Sequence, residues 1–140
     1  MLGFYIEDLS VGMEAGLVKT VLASDITAFA ELTGDRNPVH LSEHFASKTF
    51  FKSRIAHGML LGGLISAVIG TRLPGPGAIY MSQTLRFLAP VRIGDTVSAF
   101  VSVTALDLSK KRAHLHCRCE VAGKSVVEGE ALVFVPSRTA

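Results

Sequence analysis

The stretch Ile55-Ala56-His57-Gly58-Met59-Leu60-Leu61-Gly62-Gly63-Leu64-Ile65-Ser66-Ala67-Val68-Ile69-Gly70 decides how the rest of the chain must fold. From Met59 onward it is apolar nearly all round. A helix of that kind needs cover on most sides and belongs in the middle of a domain. It falls short of the roughly 20 apolar residues that cross a bilayer. Gly62 and Gly63 interrupt it, and Arg54, His57 and Arg72 flank it, so no membrane span is expected. Leu73-Pro74-Gly75-Pro76-Gly77 stops the helix, because proline and glycine together break the pattern.

Beyond that turn the period changes to two. Ala78 to Leu88, Thr96 to Leu106, Ala113 to Val121 and Lys124 to Val135 each read as strands. Their links are short and carry turn residues, which favours antiparallel neighbours. Upstream, Gly16 to Leu22 can form a short strand. A helix follows from a Ser24 N-cap, with Asp25 in its first turn, and Gly34 ends it. A second short helix is expected from Ser42 to about Thr49. The architecture implied is α+β: an antiparallel sheet wrapped around one long buried helix. No repeat or linker divides residues 1–140, so a single domain is expected.

Composition narrows the function classes. The 140 residues are 49% hydrophobic and 19% charged, which is globular rather than disordered. Lys plus Arg exceed Asp plus Glu by only two, 14 against 12, and no basic run offers a stripe for nucleic acid. The first residues carry no basic, apolar or cleavage-site signal for export, so the cytoplasm is the expected compartment. Cys117 and Cys119 sit two apart on one face of a strand and read as buried thiols.

The densest chemistry is Thr33-Gly34-Asp35-Arg36-Asn37-Pro38-Val39-His40. Gly34 frees the backbone to turn, and Pro38 stiffens the loop around it. A stiff loop can present Asp35 and His40 to one small gap. There a carboxylate and an imidazole can share a water, one taking a proton and the other delivering one. Asn37 can hold the loop or the water. An Asp-x-Asn-Pro stretch is also an ordinary turn, and the residue types alone leave both readings open.

A second feature lies at His57-Gly58-Met59, where the buried helix starts. Helix N-termini present unpaired N–H groups and partial positive charge, and glycine lets a ligand approach them. Gly58 is therefore a candidate donor to an oxyanion, while His57 reads as a capping group. Ser66 is a polar residue about two turns along and either bonds back to a carbonyl or supports the acid–base pair. His114 and His116 alternate with Cys117 and Cys119 across a strand, so they do not converge on a metal. No nucleophile elbow, phosphate-binding loop or dinucleotide fingerprint is present.

Gly34-Asp35-x-Asn37-Pro38-x-His40, followed by Ile55-Ala56-His57-Gly58-Met59, resembles the hydratase-2 signature of the MaoC-like (R)-specific enoyl-CoA hydratases. Pro74-Gly75-x-Gly77, Gln83-x-Leu85-x-Phe87, Pro90-Val91 and Gly94-Asp95 are similar as well. The likeness runs from about Val11 to Val135. It implies a hot-dog fold, a curved antiparallel sheet around a central helix, and a homodimer. It implies a hydro-lyase converting trans-2-enoyl-CoA to (R)-3-hydroxyacyl-CoA with no cofactor and no metal. Asp35 and His40 become the pair that binds the catalytic water, Gly58 the oxyanion donor, and Asn37 and Ser66 supporting residues. A hot-dog thioesterase would usually place a carboxylate on the central helix, and Gly58 to Thr71 has none. A dehydratase acting on acyl carrier protein keeps the chemistry and changes the carrier. Chain length, and a role in polyhydroxyalkanoate supply or fatty-acid metabolism, stay open.

Overall fold

A computed structural model describes residues 3–139. Its elements, after a 3-10 turn at Ile6–Asp8, are β1 (Glu14–Thr20), α1 (Ala23–Thr33), α2 (Pro38–Leu41), α3 (Glu43–Ser47) and α4 (Gly58–Thr71). Then come β2 (Ile79–Gln83), β3 (Arg86–Phe87), β4 (Thr96–Asp107), β5 (Arg112–Val121) and β6 (Lys124–Phe134). The strands make one six-stranded sheet in the order β1-β4-β5-β6-β2, with β3 also paired to β6. Every pairing is antiparallel. This is the α+β hot-dog arrangement, with α4 against the inner face of the sheet.

Alternation along β4 and β5 builds that inner face. Val97, Ala99, Val101 and Val103 point inward from β4, and Ala113, Leu115, Cys117 and Cys119 from β5. Many of these are small, so the helix can lie close. Leu61, Ile65, Val68 and Ile69 are the side chains α4 buries against them. The Cys119 thiol lies 3.8 Å from the Leu61 carbonyl. Both cysteines are free and buried. Burial pushes Cys117 up to about 11 and Cys119 up to about 12, so both stay protonated and inert near neutral pH.

The structure departs from the sequence reading in four places. Leu22, not Ser24, takes the N-cap position of α1, and its N–H donates to Asp25 Oδ2 at 2.8 Å. The helix expected from Ser42 is α3, capped by the Ser42 hydroxyl, which accepts the Phe45 N–H at 3.1 Å, but a further short helix, α2, precedes it where a loop was expected. The strand expected over residues 78–88 is broken into β2 and β3. At the break the Thr84 N–H donates to the Glu130 carbonyl at 2.8 Å, and the Thr84 carbonyl crosses directly over Gly129. A period of two cannot register such a crossing.

The fourth departure concerns α4 itself. Its own chain covers it on one side only. Met59 is 59% exposed, and Gly63 and Gly70 are exposed too. That bare side shares a cavity with Tyr80 and Met81 of β2, which like their neighbour Ile79 are exposed. The glycine pair does not serve sheet packing: Gly62 meets the Leu85 side chain, and Gly63 meets nothing within 4 Å. Among the described residues no helix is long and apolar enough to cross a membrane.

A Cβ at residue 129 would sit 1.8 Å from the Thr84 oxygen, so backbone must move to admit it. Gly129→Ala is expected to lose about 1–3 kcal/mol, the usual cost of overpacking. Urea denaturation with an unchanged m-value checks this.

Candidate active site

The site is assembled where α1 ends and α4 begins. Gly34 adopts φ 81 at the C-cap of α1, and its N–H donates to the Ala30 carbonyl at 2.9 Å. The chain then turns, and Asp35 receives the Asn37 N–H on Oδ1 at 3.3 Å. Asn37 caps α2 through Oδ1, which accepts the Val39 N–H at 3.2 Å. Pro38 is the first helical residue, where its missing N–H costs nothing. His40 therefore rides on a one-turn helix rather than on the stiff loop read from the sequence. Asn37 serves as the cap that begins that turn.

Residues 54–57 grip this turn from the other side. The Arg54 Nε–H donates to the His40 carbonyl at 2.7 Å. His40 is 8% exposed, and its Nδ1 lies 2.8 Å from the Ile55 carbonyl. A carbonyl can only accept, so Nδ1 carries the proton and Nε2 keeps a free lone pair. His57 is 2% exposed. Its Nε2 lies 2.9 Å from the Asp35 carbonyl, and its ring stacks on that of His40 at 3.9 Å between centroids. Phe29 packs on it at 4.7 Å.

His57 thus joins the site and gives α4 no side-chain cap, contrary to the capping role read from sequence. The signal for this was present. Residue 57 lies one and two helical turns before Leu61 and Ile65, on the stripe that faces inward. Its Nδ1 is sealed from solvent and has no hydrogen-bond partner, which is uncommon for a buried nitrogen and costs roughly 1–3 kcal/mol.

Asp35, His40 and His57 each bring one ligand-type atom within 4.8 Å of the others. Two hydrogen bonds of roughly 2.8 Å meeting at a water span roughly 4.6 Å, so a single water fits between a carboxylate and an imidazole at this spacing. The same trio suits a metal poorly. The two imidazoles stack face to face with planes 27° apart, which sends their in-plane lone pairs alongside each other instead of to one point. Of the two His57 nitrogens, Nε2 is committed to the Asp35 carbonyl and Nδ1 is sealed from solvent. Cys117 and Cys119 face the core while His114 and His116 face away, so they form no second cluster.

Two cavities meet at Asp35 and Met59. The first, about 480 Å³, is lined by Asp35, His40, Gly58, Phe87 and Val127 among others. The second, about 660 Å³, is lined by Asp35, Gly62, Ser66, Tyr80 and Leu85 among others. Both volumes suit a small-molecule ligand. Gly58 is the first residue of α4, so its N–H belongs to the turn that has no carbonyl to bond within the helix. A Cβ there would come 2.6 Å from the Phe87 ring, a second reason for glycine besides ligand approach. Ser66 lines the second cavity with Asp35, whereas His40 lines the first.

A sheet curled round one helix, with a carboxylate and an imidazole beside a helix N-terminus on one cavity, defines a hot-dog protein with a candidate acid–base site. Residues 11–127 match the MaoC like domain, and the chain belongs to that family. It is 59% identical over 134 residues to the 3-hydroxybutyryl-CoA dehydratase of Methylorubrum extorquens, covering 96% of this chain and 85% of that one. It is also 59% identical over 134 residues to the (R)-specific enoyl-CoA hydratase of Rhodospirillum rubrum, covering 96% and 93%. Among solved structures it is similar to the R-hydratase PhaJ1 of Pseudomonas aeruginosa, with a TM-score of 0.92 and 46% identity. That match covers 97% of this chain and 88% of that one.

Replacing Asn37 by Ala removes the α2 cap and is expected to cost about 0.5–2 kcal/mol, while Asn37→Ser keeps an acceptor and most of the stability. Paired urea titrations of the two variants check the cap, and equal stabilities would contradict it.

Proposed function

We propose that this protein is an (R)-specific 2-enoyl-CoA hydratase, a hydro-lyase that reversibly converts trans-2-enoyl-CoA to (R)-3-hydroxyacyl-CoA. The observation that carries it is the meeting of Asp35 and His40, whose Nδ1 is held by the Ile55 carbonyl, on a cavity bordered by the start of α4. The names of the 59%-identical relatives support the substrate class and the (R) outcome.

The carboxylate of Asp35 and Nε2 of His40 each accept one O–H of a water. Conjugation with the thioester makes C3 of the substrate electrophilic. The water oxygen bonds to C3, the pair takes its proton, and the C2–C3 π electrons move onto the thioester oxygen. The Gly58 N–H answers that charge, an interaction worth roughly 10²–10³ in rate at comparable sites. The collected proton then passes to C2. Nothing in this sequence of steps requires a metal or a cofactor beyond the CoA of the substrate. Supporting parts fall to Asn37, which caps the His40 turn, and to Ser66, which lines the second cavity beside Asp35.

The reading includes a homodimer. The uncovered side of α4 and the neighbouring β2 residues form a continuous apolar face, and a second copy would bury it. The reading also keeps the enzyme in the cytoplasm, where unpaired thiols persist.

Asp35→Asn and His40→Gln are each expected to slow hydration of crotonyl-CoA by roughly 10²–10⁴-fold while circular dichroism stays unchanged. Loss of enoyl absorbance follows the reaction. Near-parental rates in either variant, release of free CoA thiol, or an (S)-product would overturn the reading. Sedimentation should give twice the 14.9 kDa of one chain, and Ile79→Glu should shift that mass toward the single chain.

A further inference from the structure

We propose that His57 is a positioning residue of the active site, holding Asp35 by its backbone and His40 by its ring, and that it works as the neutral Nε2–H tautomer. The inference rests on the hydratase reading for its kinetic arm only. Three observations meet in this side chain. Its Nε2 lies 2.9 Å from the Asp35 carbonyl, which can only accept, so the proton sits on Nε2. Its ring lies against His40 on one side and Phe29 on the other. Its Nδ1 is buried with no donor to meet it.

Packing alone does not account for a histidine here. A phenylalanine ring would fill the space between Phe29 and His40 and leave no orphaned nitrogen. What phenylalanine lacks is the N–H that ties residue 35 to the start of α4, 22 positions later in the chain. The titratable groups that meet His57 are Asp35 and His40, and the Arg54 guanidinium is bound to the His40 carbonyl. A neutral His57 puts no second positive charge beside His40 when that residue holds the proton taken from water. The donor to Asp35 and the neutral face toward His40 are satisfied together by one tautomer. His40 carries the opposite one, with its proton on Nδ1 and toward Ile55.

Two measurements test this. Long-range proton–nitrogen correlation spectra of the intact protein at neutral pH report each ring's tautomer without any substrate. The expected pattern is a protonated Nε2 on His57 and a protonated Nδ1 on His40. A doubly protonated His57, or one protonated on Nδ1, overturns the proposal. The kinetic arm uses three variants. Gln places an amide N–H where Nε2 stands, Asn places it where Nδ1 stands, and Phe keeps only the ring. H57N and H57F are expected to lose kcat on crotonyl-CoA by about 10²-fold with KM within about twofold, while H57Q recovers to within about tenfold of the parent. H57F at the parental kcat, or H57Q as slow as H57F, overturns the proposal. A change confined to KM does the same. If the parent protein does not hydrate crotonyl-CoA, the hydratase reading fails, and the tautomer spectra still decide the role of His57.

Discussion

Helix α4 carries no charged side chain along its whole length, and the need to cover it governs the rest of the molecule. Each large apolar side chain removed from water contributes roughly 1.5–3 kcal/mol. Four of them on one helix are comparable to the whole net stability of a domain, about 5–15 kcal/mol. The sheet therefore curls onto the stripe bearing Leu61, Ile65, Val68 and Ile69, and the strands opposite it present small or β-branched residues. Once the helix lies there, its N-terminus has to open at one end of the sheet, between Phe87 and the turn after α1.

That opening explains why the site is held as it is. Arg54, Ile55 and His57, just ahead of α4, all bond to the segment 35–40 through backbone carbonyls or ring nitrogens. Among the described residues no ion pair involves Asp35, His40 or His57, so the site avoids the desolvation penalty of a buried salt bridge. Each imidazole is oriented by a carbonyl. A carbonyl accepts from one ring nitrogen and so determines which nitrogen keeps its lone pair. The same contacts bind α1, α2 and α4 to one another, so site geometry and local stability are not separable here.

The uncovered side of α4 belongs to the same logic. A single sheet of this size reaches one side of a helix. The remaining apolar side, together with Tyr80 and Met81, borders the larger cavity. The second cavity and the bare face therefore share residues, Met59, Gly63, Tyr80 and Met81 among them. Whatever covers that face also shapes the cavity that Asp35 looks into.

Much of this was determined by the sequence alone. Period-two patterning located the strands after Gly77 to within a few residues, because alternation records which side of a strand meets the core. The all-round apolar segment marked the central helix, and Gly58 its start, while the Gly34-to-His40 stretch offered Asp35 and His40 only as candidates. Tertiary structure alone decided four things: the place of His57 against His40, the break of the strand at Thr84, the one-turn helix under His40, and the half of α4 left bare. The reason is physical. Periodicity reports an element's own inner and outer sides, whereas the place of His57, the strand break and the bare half of α4 depend on distances between residues far apart in the chain, and the one-turn helix rests on a side-chain cap that periodicity does not read. His57 and Asp35 are 22 positions apart, and Thr84 and Gly129 are 45. Such distances are set by how whole elements pack, and no local pattern encodes them.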